Sequence, residues 1–212
     1  TDRDLEQLHE VTWREIAARK DIISGRRIEA PRMIPSASLD AESRFREDFP
    51  VLHHLAEALS LAARFELAEI AERFSRVMGN LRWSQNPNYD DDNSSRRFLD
   101  GYAYAGISGP DAPILCTVPR GGLLLLGPGV VYPGHHHEPR EVYLMLTPGS
   151  QWCLDEGDWF DVAPGDLVFH DSWQMHAMRT RNNPLLAFAG WLDAGDRRGI
   201  SWSGNNGGVR FE

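Results

Sequence analysis

The chain has 212 residues, of which 42% are hydrophobic and 25% are charged, so it can bury a sizeable core as one domain or a domain with an appendage. Its net charge of −9 lacks the basic surface that nucleic-acid phosphates require, so nucleic acid is not an expected partner. No apolar run approaches the ~20 residues of a membrane span, and two cysteines, Cys116 and Cys153, are too few for a disulfide framework. The composition therefore predicts a soluble protein of a reducing compartment, the cytoplasm.

Residues 1 to about 80 carry helical periodicity. Apolar residues recur at three- and four-residue spacing over residues 5–16 and again over residues 55–74. Asp40 predicts a cap for a short helix over residues 41–49, and Pro50 predicts the start of a long helix that ends near Gly79. We expect residues 1–80 to form an α-helical region that packs on the remainder of the chain.

From Leu81 onward the pattern changes to short apolar runs separated by turn-forming residues such as Pro148-Gly149 and Pro164-Gly165. Many short strands at this spacing predict a β-sandwich or barrel over residues 81–212. The nine predicted strands are Gly101 to Ser108, Ile114 to Thr117, Gly122 to Leu126, Glu141 to Leu146, Gln151 to Leu154, Trp159 to Val162, Asp166 to His170, His176 to Thr180 and Leu185 to Trp191.

The segment from Tyr132 to Tyr143 contains most of the candidate metal-binding and catalytic side chains. Side chains two apart in a strand share a face, so His135 and His137 point one way and His136 points the other. Glu141 and Tyr143 keep the parity of His135. If the chain turns back near Pro139, two imidazoles, a carboxylate and a phenol converge, and such a set suits Zn, Fe, Mn, Ni or Co.

The alternative is that three consecutive histidines form an exposed loop that binds nothing. Glu141 argues against this alternative, because a carboxylate within the apolar run Glu-Val-Tyr-Leu-Met-Leu needs a partner when the strand faces a core. A metal ion is the simplest partner.

A second segment runs from Pro164-Gly165-Asp166 through a predicted strand to His176. Together the two segments resemble the two motif halves of the cupin superfamily, which implies a mainly β, double-stranded β-helix (a jelly-roll barrel) with an N-terminal α-helical region. The resemblance places metal ligands at His137, Glu141 and His176, with His135 as a further ligand. His136 is expected to face outward, while His170 is either a neighbour of the ligands or an ordinary strand residue.

The pattern Tyr-x-x-His-x-His-x(3)-Glu-x-Tyr, followed by a distant histidine, further resembles the cupin dimethylsulfoniopropionate (DMSP) lyases, the DddL/DddQ-like group. The likeness covers about residues 80–192 and includes Leu81-Arg-Trp-Ser-Gln-Asn-Pro-Asn-Tyr, Tyr102-Ala-Tyr-Ala and Trp173-Gln-Met-His-Ala-Met. It implies a metal-dependent carbon–sulfur lyase that releases dimethyl sulfide and acrylate from a zwitterionic sulfonium substrate. Tyr143 is then the expected base for the α-proton, and Tyr132 orients the substrate or shares the proton.

A sulfonium group needs a desolvated cation site, which aromatic faces supply. The candidates lie on or beside the predicted strands and are Tyr102, Tyr104, Trp173, Phe188 and Trp191.

Two alternative functions stay open at this point. A cupin fold also hosts enzymes such as iron-dependent dioxygenases, and it hosts binding proteins that do not turn their ligand over. A homodimer is a further expectation, since exposed barrel strands can pair between subunits.

Overall fold

A computed structural model describes residues 1–29, 37 and 48–195, together with the backbone of residues 201–202. Most of the helix expected over residues 41–49 lies outside the described residues.

Helices make up most of the regular structure in the described residues among the first 80, as the periodicity predicts. Helix α1 (Asp2–Ala18) begins with a reciprocal cap in which Thr1 accepts a hydrogen bond from the Asp4 amide and the Asp4 side chain bonds back to the first residue. A 3-10 turn at Pro50–His54 leads into α2 (Leu55–Ala62), and α3 (Ala68–Val77) is followed by a second 3-10 turn at Met78–Asn80. A short α4 (Arg96–Asp100) is capped by the Ser95 hydroxyl.

The prediction of one long helix from Pro50 to Gly79 is wrong. The chain turns between α2 and α3, so that α2 packs on the sheet and on α3, while α3 packs along α1. The intervening residues 63–67 contain neither proline nor glycine, so no local signal marks the turn. Tertiary packing of the two apolar faces overrides the helix propensity of the linking residues.

Twelve strands are present in the described part of the chain, and they form two antiparallel sheets apart from one short parallel pair, β2 with β3. The first sheet has the order β1-β2-β4-β11-β6-β9 and the second has the order β12-β5-β10-β7-β8. The strands are β1 (Trp83–Ser84), β2 (Tyr102–Gly109), β3 (Ile114–Leu115), β4 (Arg120–Leu126), β5 (Val131–His136), β6 (Glu141–Met145), β7 (Ser150–Leu154), β8 (Phe160–Val162), β9 (Leu167–His170), β10 (His176–Thr180), β11 (Leu185–Trp191) and β12 (Ser201–Trp202).

The first sheet has two apolar faces, because alternate side chains point to opposite sides. Its outer face packs with the helices into one core that includes Leu123, Leu144 and Phe188. Its inner face packs against the second sheet in a separate core that includes Leu124 and Met145. From β4 onward the chain passes repeatedly from one sheet to the other, and the two antiparallel sheets face each other. This is the double-stranded β-helix of the cupins, which confirms the predicted fold class. The division of the chain into domains at residue 80 stays a prediction.

Candidate metal centre and active site

Paired strands from both sheets bring the predicted metal-binding residues together in the barrel interior. In the second sheet, His135 on β5 is directly opposite His176 on β10. In the first sheet, Glu141 at the start of β6 is opposite His170 on β9 and Trp191 on β11. Residues far apart in the chain therefore meet around Glu141 because of sheet register.

Three histidines present the same ring nitrogen to this cluster. The Nδ1 atoms of His135, His137 and His176 lie 2.8–2.9 Å from the backbone carbonyl oxygens of Pro133, Pro139 and Gln174, respectively. A carbonyl oxygen only accepts, so each Nδ1 carries a proton and donates it. Each Nε2 atom is left facing the cluster, which is the usual arrangement for metal-binding histidine.

The Glu141 carboxylate lies at the centre of the cluster and is buried. Its Oε2 atom is 3.2 Å from His137 Nε2, 3.3 Å from His176 Nε2 and 3.5 Å from His170 Nδ1. Its Oε1 atom accepts a 2.9 Å hydrogen bond from Trp191 Nε1. Burial alone would raise the pKa of Glu141, but the charge of the neighbouring His137 and its hydrogen bond to the carboxylate hold that pKa well below its usual range. The carboxylate is therefore ionised.

His135 and His170 are held neutral. Burial, reinforced by the neighbouring histidines, lowers the pKa of His135 well below its usual range, and burial lowers the pKa of His170 to about 3. A neutral imidazole is the form that binds a metal ion, so His135 is suited to be a ligand.

The residues present fit a divalent metal ion. Nitrogen atoms of His135, His137 and His176 lie within 4.8 Å of one another, and Glu141, His170 and His176 form an overlapping group of the same size. His176 Nε2 is buried without a hydrogen-bond partner among the described residues. Imidazole nitrogen and carboxylate oxygen together match transition metals such as Zn, Fe, Mn, Ni and Co.

Two tyrosines flank the metal-binding cluster. Tyr143 lies two residues after Glu141 on β6, with its ring 5.5 Å from that of His170. The Tyr132 ring is 4.8 Å from the His135 ring. Burial raises the pKa of both phenols well above the usual value, and the Glu141 carboxylate raises the pKa of Tyr143 further. In a protein without a bound cation both phenols therefore keep their protons.

A cavity of about 140 Å³ opens onto this cluster. Among the aromatic residues predicted to bind the substrate, Tyr102, Tyr104 and Trp191 line the cavity. Arg120 also lines it, with its guanidinium 5.8 Å from the centre of the Trp191 ring.

The other two aromatic candidates lie elsewhere. The expectation that Phe188 lines the pocket is wrong, because its side chain is on the outer face of the first sheet, packed edge-on against Trp13 at 5.5 Å. Trp173 is 51% exposed in the turn before β10, where it contacts His136 rather than the cavity. His136 points away from the cluster, as strand alternation predicts.

Two cavity residues, Gln85 and Asn86, belong to the motif over residues 81–89 that carries the family resemblance, but the sequence gives them no site role. Both come from the segment that directly follows β1 and lines the cavity. The Gln85 side chain donates hydrogen bonds to the carbonyl oxygens of Leu99 and Tyr102. The backbone N–H of Asn86 donates to the Tyr102 hydroxyl. No sequence spacing links this segment to the histidines, because only the folded barrel brings them together.

Among the described residues, no helix has the length and apolar character that crossing a membrane would require. The expected cytoplasmic location and homodimer stay predictions.

Comparison with known proteins finds one matching family and two relatives of this chain. A family model described as dimethylsulfoniopropionate lyase matches residues 27–187. DddL of Cereibacter sphaeroides, a protein assigned as a dimethylsulfoniopropionate lyase, is 29% identical over 166 residues, which cover 78% of this chain and 68% of DddL. The dimethylsulfoniopropionate lyase DddQ of Ruegeria pomeroyi is 29% identical over 94 residues, which cover 44% of this chain and 47% of DddQ.

Two solved structures share the fold. A structure from a study of the DMSP lyases RdDddP and RnDddQII superposes with a TM-score of 0.76 at 22% identity, over 96% of this chain and 100% of that chain. The structure of DddQ from Ruegeria pomeroyi superposes with a TM-score of 0.66 at 20% identity, over 91% of this chain and 93% of that chain. The family match covers most of the chain, and the chain therefore belongs to the dimethylsulfoniopropionate lyase family.

Proposed function

We propose that this chain cleaves dimethylsulfoniopropionate to dimethyl sulfide and acrylate by β-elimination, with Tyr143 as the base. The observation that carries the proposal is that Tyr143 and the His/Glu cluster share one cavity lined by aromatic rings. Membership of the DMSP lyase family supports the same substrate.

The residues proposed to hold one divalent transition metal are His135, His137, Glu141 and His176. When bound there, the metal would withdraw electron density from the substrate carboxylate and stabilise the negative charge that develops at the α-carbon. Its positive charge would also favour the phenolate form of Tyr143 over the phenol.

Tyr143 then takes the α-proton of the substrate. The electron pair of that C–H bond forms the double bond between the α- and β-carbons, and the bond from the β-carbon to sulfur breaks. Dimethyl sulfide leaves as a neutral molecule with the bonding pair, and acrylate keeps the carboxylate. The leaving group needs no proton, so the reaction requires a base but no separate acid. Tyr132 orients the substrate or shares the proton.

The cationic dimethylsulfonium end is proposed to lie against the face of Tyr104 rather than Trp191, because a desolvated cation is attracted to aromatic rings and the Arg120 guanidinium already lies over the Trp191 ring. Arg120 on the same cavity wall would repel that end and attract the carboxylate end. The two charges of the substrate therefore give it one preferred orientation in the cavity.

The ligand and base roles can be separated by measuring metal content and turnover in the same purified variants. We expect His137→Ala, Glu141→Ala and His176→Ala to lower both quantities. Tyr143→Phe should keep its metal while turnover falls by a factor of ~100 or more, the usual contribution of a general base. Full metal occupancy in all three alanine variants would contradict the ligand assignment, and normal turnover of Tyr143→Phe would contradict the base.

A further inference from the structure

Trp152 and His170 form a buried pair behind the proposed metal ligands. Trp152 lies on β7 and His170 on β9, and both side chains are fully buried. The indole Nε1 of Trp152 donates a 3.2 Å hydrogen bond to His170 Nε2. The His170 ring in turn stacks on the His176 ring, with the ring centres 3.9 Å apart. The elimination described above gives neither residue a role.

The hydrogen bond from Trp152 determines where His170 carries its proton. An indole nitrogen only donates, so His170 Nε2 must be the acceptor and the proton of the neutral ring must lie on Nδ1. That Nδ1 atom faces Glu141 Oε2 at 3.5 Å. The contact falls short of a hydrogen bond, because His170 Nδ1 is buried without a hydrogen-bond partner among the described residues, and its N–H faces the central carboxylate.

This tautomer bears on a choice between two possible metal sites. One group of potential ligands consists of His135, His137 and His176, and the other consists of Glu141, His170 and His176. In the second group His170 would have to offer a lone pair on Nδ1, and its proton would then sit on Nε2, directly opposite the N–H of Trp152. Two opposed N–H groups in a buried site are costly, so Trp152 disfavours the second group.

We propose that Trp152 fixes the tautomer of His170, so that His170 orients Glu141 as a hydrogen-bond donor and does not become a metal ligand. Trp191 already donates to Glu141 Oε1, and His170 would donate to Oε2 once the 3.5 Å contact shortens, which leaves a lone pair of each oxygen for a metal ion. Both Trp152 and His170 are positioning residues. The inference rests on the proposed metal site. It names the residues that do not bind the metal themselves but orient the ligand Glu141.

The first test is the His170 tautomer in the metal-free full-length protein, read from long-range ¹H–¹⁵N correlations of the imidazole rings. We expect the Nδ1–H form in the wild type and a weaker preference for it in Trp152→Phe, which keeps an aromatic ring but has no N–H, so that only Glu141 then favours the proton on Nδ1. An Nε2–H tautomer in the wild type would overturn the proposal without any variant being needed.

The second test is the affinity for Co²⁺, measured by competition with a chelator and accompanied by the visible spectrum of the bound ion. We expect Trp152→Phe and His170→Phe to bind Co²⁺ about tenfold more weakly, the lower end of the effect usual for outer contacts of a metal site. In His170→Asn the amide nitrogen falls near the position of Nδ1, so this variant should retain most of the affinity. In both His170 variants the Co²⁺ spectrum should keep the intensity and position of the wild type.

Trp83→Phe is the matched control, because Trp83 is a buried tryptophan in the core beneath the helices, away from the metal cluster. Wild-type affinity in Trp152→Phe and His170→Phe, or an equal loss in Trp83→Phe, would contradict the proposal. A spectral change in His170→Asn that indicates a lost ligand would also contradict it. None of these readouts uses DMSP turnover, so failure of the proposed reaction and failure of this inference are distinguishable.

Discussion

Glu141 shows how much of a site can depend on one side chain. Its carboxylate is buried, yet one oxygen faces three imidazole nitrogens and the other accepts the Trp191 N–H. A buried charge is stable only when it is paired or bound to a metal. The imidazole nitrogens and the Trp191 N–H supply polar partners for Glu141, and the same set of ligand atoms could hold a metal ion.

Tyr104 offers a test of the proposed sulfonium site at the level of one residue. We expect Tyr104→Leu to raise the KM for DMSP by roughly 2- to 30-fold, which corresponds to the ~0.5–2 kcal/mol of a cation–π contact, while the metal content stays unchanged. Steady-state kinetics with metal analysis measures both quantities.

Phe188→Leu is the matched control for Tyr104→Leu, because Phe188 lies on the opposite face of the first sheet. Its KM should equal that of the wild type. An unchanged KM in Tyr104→Leu, or an equal rise in Phe188→Leu, would contradict the assignment of Tyr104.

The sequence allowed part of the site to be predicted, namely the residues whose positions follow from strand alternation. His135, Glu141 and Tyr143 share one parity, and the structure brings them together. The same rule already separates Phe188 from Trp191, because residues three apart in a strand face opposite ways. Aromatic character alone therefore does not place Phe188 in the cavity. The contact of His170 with Glu141 could not be predicted, because it depends on the register between β6 and β9.

At the level of elements, the strands were more predictable than the helices. Most strands are apolar runs bounded by turn residues, and β10 and β11 have the predicted ends. Strand β5 was not among the predicted runs, because Pro133-Gly134 interrupts it. The turn between α2 and α3 was not predicted either, since it arises from packing on the sheet and on α1 rather than from local residues.

The close approach of β2 and β4 gives a prediction at this scale. Gly122 and Gly106 are directly opposite each other. A Cβ atom added at Gly122 would lie 2.2 Å from the Ala105 carbonyl oxygen, whereas one added at Gly106 would have no neighbour closer than 3.7 Å. We expect Gly122→Ala to lower the free energy of unfolding by about 1–3 kcal/mol, and Gly106→Ala to change it by less than about 0.5 kcal/mol.

Urea unfolding at fixed metal content would measure both free energies. Equal stability of the two alanine variants would show that β2 and β4 are farther apart than described.

On the scale of the whole molecule, the helices and the barrel are joined by one apolar core that also contains a titratable group. His9 on α1 is buried in contact with Trp13, and its Nε2 atom has no hydrogen-bond partner among the described residues. Burial lowers the pKa of His9 to about 4 from the ordinary value of 6.5. Between these two values the unfolded chain binds more protons than the folded chain, so stability falls as the pH falls from about 6.5 to 4.

We expect His9→Leu to remove this part of the pH dependence. Between pH 7.5 and pH 4.5, the wild type should lose about 2 kcal/mol more stability than His9→Leu, from ~1.4 kcal/mol for each unit of the pKa difference. Urea titrations at both pH values measure the loss. His53→Gln, which replaces an exposed histidine, should lose as much as the wild type. An identical loss in His9→Leu would mean that His9 is not buried as a neutral group.

The most direct test of the proposed reaction uses purified, metal-loaded protein incubated with dimethylsulfoniopropionate under argon. Dimethyl sulfide is followed in the headspace and acrylate in solution, with Tyr143→Phe assayed in parallel. We expect equimolar release of both products without oxygen, and a loss of release in Tyr143→Phe. No release from a metal-replete sample would contradict the proposed lyase, and release that required oxygen would favour an oxygen-dependent enzyme built on the same fold.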